Sequence, residues 1–211
     1  MDAAAVDARL EEIMPGFRAA RLSRLAPDAL QALRTAVFLD AGVAISEGLD
    51  AAPPALFWVK GLELWLHGVL RPLQLGLRTE DAVAALDGVA WRWSALAPQA
   101  AGWPDDAPAQ SWRGLLPALR PKLSDRRPTV LSLRAVAAAL LCTGPLAAAL
   151  GIPRWPPRAD PEALGGLAWV LVQLADIRNR LTHREAGDAD DAAAVRARAT
   201  TAGASIAALF G

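Results

Sequence analysis

Along this chain apolar residues recur at intervals of three and four, and prolines and glycines cut the pattern into helix-length blocks. The periodicity predicts helices over 3–13, 27–47, 54–70, 80–96, 112–120, 130–143, 161–184 and 189–209. No stretch alternates apolar with polar residues between turn signals, tyrosine is absent and isoleucine is scarce, so no sheet is expected. The connections over 97–110 and 151–160 carry too much proline for helix and are too short to be linkers between domains. No internal repeat is visible. The expected fold class is therefore all-α, a helical bundle in one domain over 1–211. Its core spans about 27–211, with the N-terminal helix in 1–26 as a peripheral appendage.

Some helix starts are chemically explicit. Thr79 precedes Glu80 and Asp81, placing a capping hydroxyl and two acids at the positive end of a helix dipole. Asp160-Pro161-Glu162 combines a cap, a proline at the first helical position and an acid in the first turn. On a wheel of the helix that follows, with Leu167 at zero and about 100° per residue, Leu167, Val170, Leu171, Leu174, Ile177 and Leu181 form one stripe. Arg178 falls at about 20°, inside that stripe, where a leucine would pack. Asn179 and His183 share a second face, at about 120° to 160°, with Val172, and Trp169 lies nearby. A helix with two apolar faces is central in its bundle or buries one face in a second subunit. Both readings put Arg178, Asn179 and His183 at a partly enclosed junction.

Composition narrows the function classes. Hydrophobic residues make up 54%, much of it alanine, which favours helix. The 22 basic residues balance the 22 acidic ones, so no global positive field draws the chain onto phosphate, and any nucleic-acid contact must be local. Cys142 is the one cysteine and is expected to be a buried, inert thiol. The acidic start Met1-Asp2 lacks the basic region of a secretory signal, which fits a cytoplasmic protein. The most membrane-like stretch, 135–152, is broken by Gly144-Pro145 and preceded by Arg134, and reads as a buried core helix.

The run Arg178-Asn179-Arg180-Leu181-Thr182-His183 departs from this background. Asn179, Thr182 and His183 are mediocre helix formers in a chain otherwise rich in alanine, leucine and arginine, and such departures mark function or strain. Asn179 is the only asparagine, and His183 is one of 2 histidines. Arg178, Arg180 and Arg184 with His183 form a compact basic patch in a neutral protein. A plainer reading stands beside this one: Arg178 as an interhelical ion-pair partner, with Asn179 and His183 as a C-terminal cap and a cation at the negative end of the dipole.

At the end of a long leucine-striped helix and followed by a final helix, this run resembles the signature of HEPN domains, helical domains found in many RNA-cleaving toxins and defence proteins. The resemblance covers about the last fifty residues, and the remainder agrees in being helical. It implies a HEPN-like up-and-down helical bundle with additional N-terminal and intervening helices. It also implies a metal-independent endoribonuclease that uses no cofactor and leaves 2′,3′-cyclic phosphate and 5′-hydroxyl ends. On that resemblance Arg178 holds the scissile phosphate, which suits a bidentate guanidinium. His183 acts as general acid or base, since imidazole exchanges protons near neutral pH, and Asn179 orients the phosphate or the pair. The partners implied are RNA, a second copy completing a composite active site, and an antitoxin or regulatory protein. The alternative is a catalytically silent HEPN-like module that binds a partner protein or a nucleotide.

A second constellation lies in the predicted third helix, where Lys60, Glu63 and His67 interrupt an apolar block at pairing distances along the helix. They are either a narrow polar edge facing water or, more pointedly, a source of support, with Lys60 or Glu63 reaching the motif across the bundle. Of the 8 tryptophans, Trp103 and Trp155 sit in proline-rich loops and are the two suited to stacking on unpaired bases. With 2 histidines and 1 cysteine, the chain is a poor source of zinc or iron ligands.

Overall fold

A computed structural model describes residues 2–14, 27–45, 50–89, 93, 114–123, 129–183 and 189–210. Every regular element among them is helical: α1 (Ala3–Ile13), α2 (Pro27–Ile45), α3 (Ala52–Val69), α4 (Arg71–Leu77), α5 (Glu80–Val89), α6 (Leu115–Leu123), α7 (Leu133–Thr143), α8 (Ala147–Leu150), α9 (Pro161–His183) and α10 (Ala189–Phe210). The all-α expectation agrees. Two short helices, α4 and α8, were not predicted, because each follows a break that the periodicity reads as an end. Gly151, in the left-handed region at φ 64°, closes α8. The predicted ends at 46–47, 94–96, 112–113 and 184 lie outside the described residues.

The caps form as the sequence leads one to expect. The Thr79 hydroxyl accepts from the Ala82 amide at 3.3 Å, and Asp160 accepts from the Glu162 amide at 3.2 Å. The Ser132 hydroxyl accepts from the Ala135 amide at 3.4 Å, which moves the start of α7 to Leu133 from the predicted 130.

The chain divides into two compact units, one of residues 1–68 with 173–211 and one of residues 69–172. The second is built around α7, of which every residue but Arg134 is buried. Five of the eleven positions are alanine or cysteine, small enough for neighbouring helices to approach closely, and α6, α4 and α8 all pack on it. Burial pushes the Cys142 thiol well above the usual range, so it stays protonated.

In the first unit, α1 packs against α2, burying Val6, Leu10 and Met14. Arg34 of α2 makes two parallel 2.7 Å hydrogen bonds to the Asp7 carboxylate of α1, and this bidentate contact raises the arginine's pKa. Three further contacts place α2, α3 and α10. A Cβ on Gly61 would stand 2.6 Å from Leu33 Cγ, so α3 meets α2 where there is no side chain. Arg196 of α10 donates to Asp40 of α2 at 2.9 Å, and Gly203 leaves room for Met14.

Candidate functional site

The motif occupies the last turns of α9, which belong to the first unit. Two contacts tie this part of α9 to α10: Arg198 Nε donates to Gln173 Oε1 at 3.2 Å, and Arg180 donates to Asp191 at 3.1 Å. Both α9 residues lie at about −120° to −140° on the wheel, so that side faces α10. Ile177 and Leu181, 4% and 3% exposed, turn the adjacent side, about −80° to −40°, into the core.

The opposite sector changes character along the helix. Between about 60° and 160° the residues Leu164, Ala168, Val172 and Ala175 are buried. Beyond Ala175 this sector and its edge open: Arg178, Thr182 and His183 are exposed, and Asn179 is half-buried. Arg178 is thus not in the core, contrary to the wheel reading. A wheel treats every turn as equally surrounded, but the buried side of α9 rotates toward Ile177 and Leu181 once the covering of its middle ends. The second apolar face likewise stops at Ala175, so within one chain the motif stands at an exposed edge.

On this open face the four side chains form a two-by-two array. Arg178 and Asn179 occupy one turn and Thr182 and His183 the next, with Arg178 and Thr182 on one side and Asn179 and His183 on the other. The Arg178 guanidinium approaches Asn179 Oδ1 at 3.5 Å, at the limit of a hydrogen bond, while the Thr182 hydroxyl donates to the Arg178 carbonyl at 2.7 Å. The sequence pattern marks Thr182 only as a weak helix former; its place on this face comes from the structure.

The arginines of this unit differ in their partners. Among the described ones, Arg9, Arg34, Arg180 and Arg196 are paired with carboxylates, and Arg198 is bonded to Gln173 and the Ala194 carbonyl. Among the described residues Arg178 has only the long approach to Asn179, and its exposed guanidinium keeps donors available to an anion.

The supporting residues separate. Arg180 turns toward α10, and Arg184 lies outside the described residues. Lys60 is exposed and Glu63 half-buried on α3, and neither is joined to Arg178, Asn179 or His183 by a hydrogen bond or ion pair among the described residues. Trp155 is half-buried in the second unit, its amide donating to the Thr143 carbonyl at 3.1 Å, and Trp103 lies outside the described residues.

Among the described residues no group of three His, Cys, Asp or Glu side chains is arranged to hold a metal ion, and no helix is long and apolar enough to cross a membrane. Compared with family models, curated proteins and solved structures, the chain matches none.

Proposed function

We propose that this protein is a metal-independent endoribonuclease of the HEPN type, with Arg178, Asn179 and His183 as its catalytic residues. One observation carries the reading: an arginine without an acidic partner among the described residues, an amide and an imidazole are presented on a solvent-open sector of the last turns of α9. In this reading Arg178 and Asn179 bind the non-bridging oxygens of a phosphodiester, and the guanidinium offsets the charge that builds there as the phosphorus becomes five-coordinate. His183 takes the proton of the 2′-hydroxyl as that oxygen attacks phosphorus. The bond to the 5′-oxygen breaks, leaving a 2′,3′-cyclic phosphate, and the departing oxygen takes a proton from an imidazolium.

A single helix face binds but does not enclose, and water-exposed charges stabilise little. The reaction therefore calls for a second wall, and a second copy of this chain presenting the same face supplies both that wall and the second imidazole. The setting that follows from the resemblance is a cytoplasmic toxin or antiviral defence effector, restrained by an antitoxin or regulatory protein.

The deciding experiment incubates the purified protein with RNA in excess EDTA. Cleavage to cyclic-phosphate and 5′-hydroxyl ends is expected, abolished in Arg178→Ala and His183→Ala. RNA left intact at all protein concentrations rejects the enzyme, and RNA or nucleotide binding without cleavage points instead to a silent HEPN-like binding module.

A further inference from the structure

The array on the open face of α9 has a fourth member with no role in the cleavage step. Thr182 is exposed, one turn beyond Arg178 and next to His183 on the same turn. Its hydroxyl proton is committed to the Arg178 carbonyl at 2.7 Å. Thr35, Thr200 and Thr201 make the same bond to the carbonyl four residues back, so this is the ordinary posture of a helical threonine. What distinguishes Thr182 is its position. With its proton engaged, its oxygen presents lone pairs alone, and beside a guanidinium and an imidazole it is an acceptor on a face otherwise rich in donors.

We infer that Thr182 is a specificity residue that accepts a hydrogen bond from the 2′-hydroxyl of the nucleotide on the leaving-group side of the scissile phosphate. The inference rests on the ribonuclease reading above. With the phosphate on Arg178 and Asn179 and the attacking 2′-oxygen at His183, the strand continues across the face toward the Thr182 side. Side chains about 100° apart on one helical turn stand roughly 8 Å from each other at the helix surface, comparable with the spacing of successive sugars in an extended strand. The attacking 2′-hydroxyl has its proton directed to His183, so the donor that reaches Thr182 belongs to the next sugar. A 2′-hydroxyl is the one donor there that RNA has and DNA lacks.

The test uses two oligonucleotides spanning a cleavage site mapped with the wild-type protein. One is all ribose, and the other carries a single 2′-deoxy sugar immediately after the cut, so both keep the attacking hydroxyl. The wild type is expected to cut the all-ribose strand about fivefold faster in kcat/KM, the range of one neutral hydrogen bond. Thr182→Val, nearly isosteric, loses that preference, while Thr182→Ser keeps it. Should valine disturb the helix end, as a lowered Tm would show, Thr182→Ala gives the same comparison. Equal cutting of the two strands by the wild type, or an undiminished preference in the valine and alanine variants, overturns the assignment and leaves the ribonuclease intact. Failure of the wild type to cut the all-ribose strand overturns the ribonuclease reading and this inference with it.

Discussion

Arg180, near the end of α9, donates to Asp191 in the first turn of α10 at 3.1 Å, its guanidinium half exposed and the carboxylate only 10% exposed. Asp191 sits at the positive end of the α10 dipole, so it answers two partial charges at once. The pair sets how the end of α9 lies against α10, and with it the direction in which the motif face points. Arg180 therefore carries its charge on the side of α9 away from Arg178.

From this follows a separation of stability from activity. Arg180→Ala is expected to lower stability by about 1 kcal/mol, since the arginine is half solvated, while Asp191→Ala costs about 1–3 kcal/mol because a carboxylate at the positive end of the α10 dipole is lost as well. A double-mutant cycle by urea denaturation should show coupling between the two. No coupling means that the pair is not a structural tie.

The exposed catalytic candidates should behave in the opposite way. Arg178→Ala and His183→Ala remove no buried contact and are expected to shift stability by less than about 0.5 kcal/mol, while RNA cleavage falls by about a hundredfold or more. Thermal melts beside cleavage rates check this. A loss of several kcal/mol in either variant favours the plainer reading of these residues as a cap or an ion-pair partner.

Gly61 offers a test of the α2–α3 contact. An added Cβ lies 2.5 Å from Leu33 Cδ2 and 3.2 Å from the Leu33 backbone nitrogen. Alanine improves helix propensity by about 1 kcal/mol, yet overpacking costs typically about 1–3 kcal/mol. Gly61→Ala should be neutral to mildly destabilising and Gly61→Val clearly destabilising in chemical denaturation.

Cys142 gives the alkaline limb of stability a defined sign. Its folded pKa is raised, so its contribution is complete below the unfolded thiol's pKa of about 8.5 and is lost as pH rises above it, because only the unfolded chain then releases the proton. The slope from this group is about 1.4 kcal/mol per pH unit. Urea titrations at several alkaline pH values should show it, and Cys142→Ala should remove it. In the native protein the thiol should not react with Ellman's reagent near pH 8.

Helix content was legible because it depends on near neighbours. Alanine and leucine spacing, the caps at Thr79 and Asp160 and the break at Gly144 act within a few residues of themselves. The short helices α4 and α8 escaped the pattern because seven and four residues are too few to show a period.

The sequence by itself determined that the chain is helical, that α9 starts at Pro161, and that at its end Asn179 and His183 share one face with Arg178 beside Asn179. Helix geometry guarantees that juxtaposition in any surroundings. Only the tertiary structure decided which way the three face. Burial is a property of neighbours distant in sequence, and the packing that covers Val172 and Ala175 stops one turn before Arg178, leaving Arg178 and His183 in solvent while Arg180, two residues along from Arg178, is drawn to Asp191.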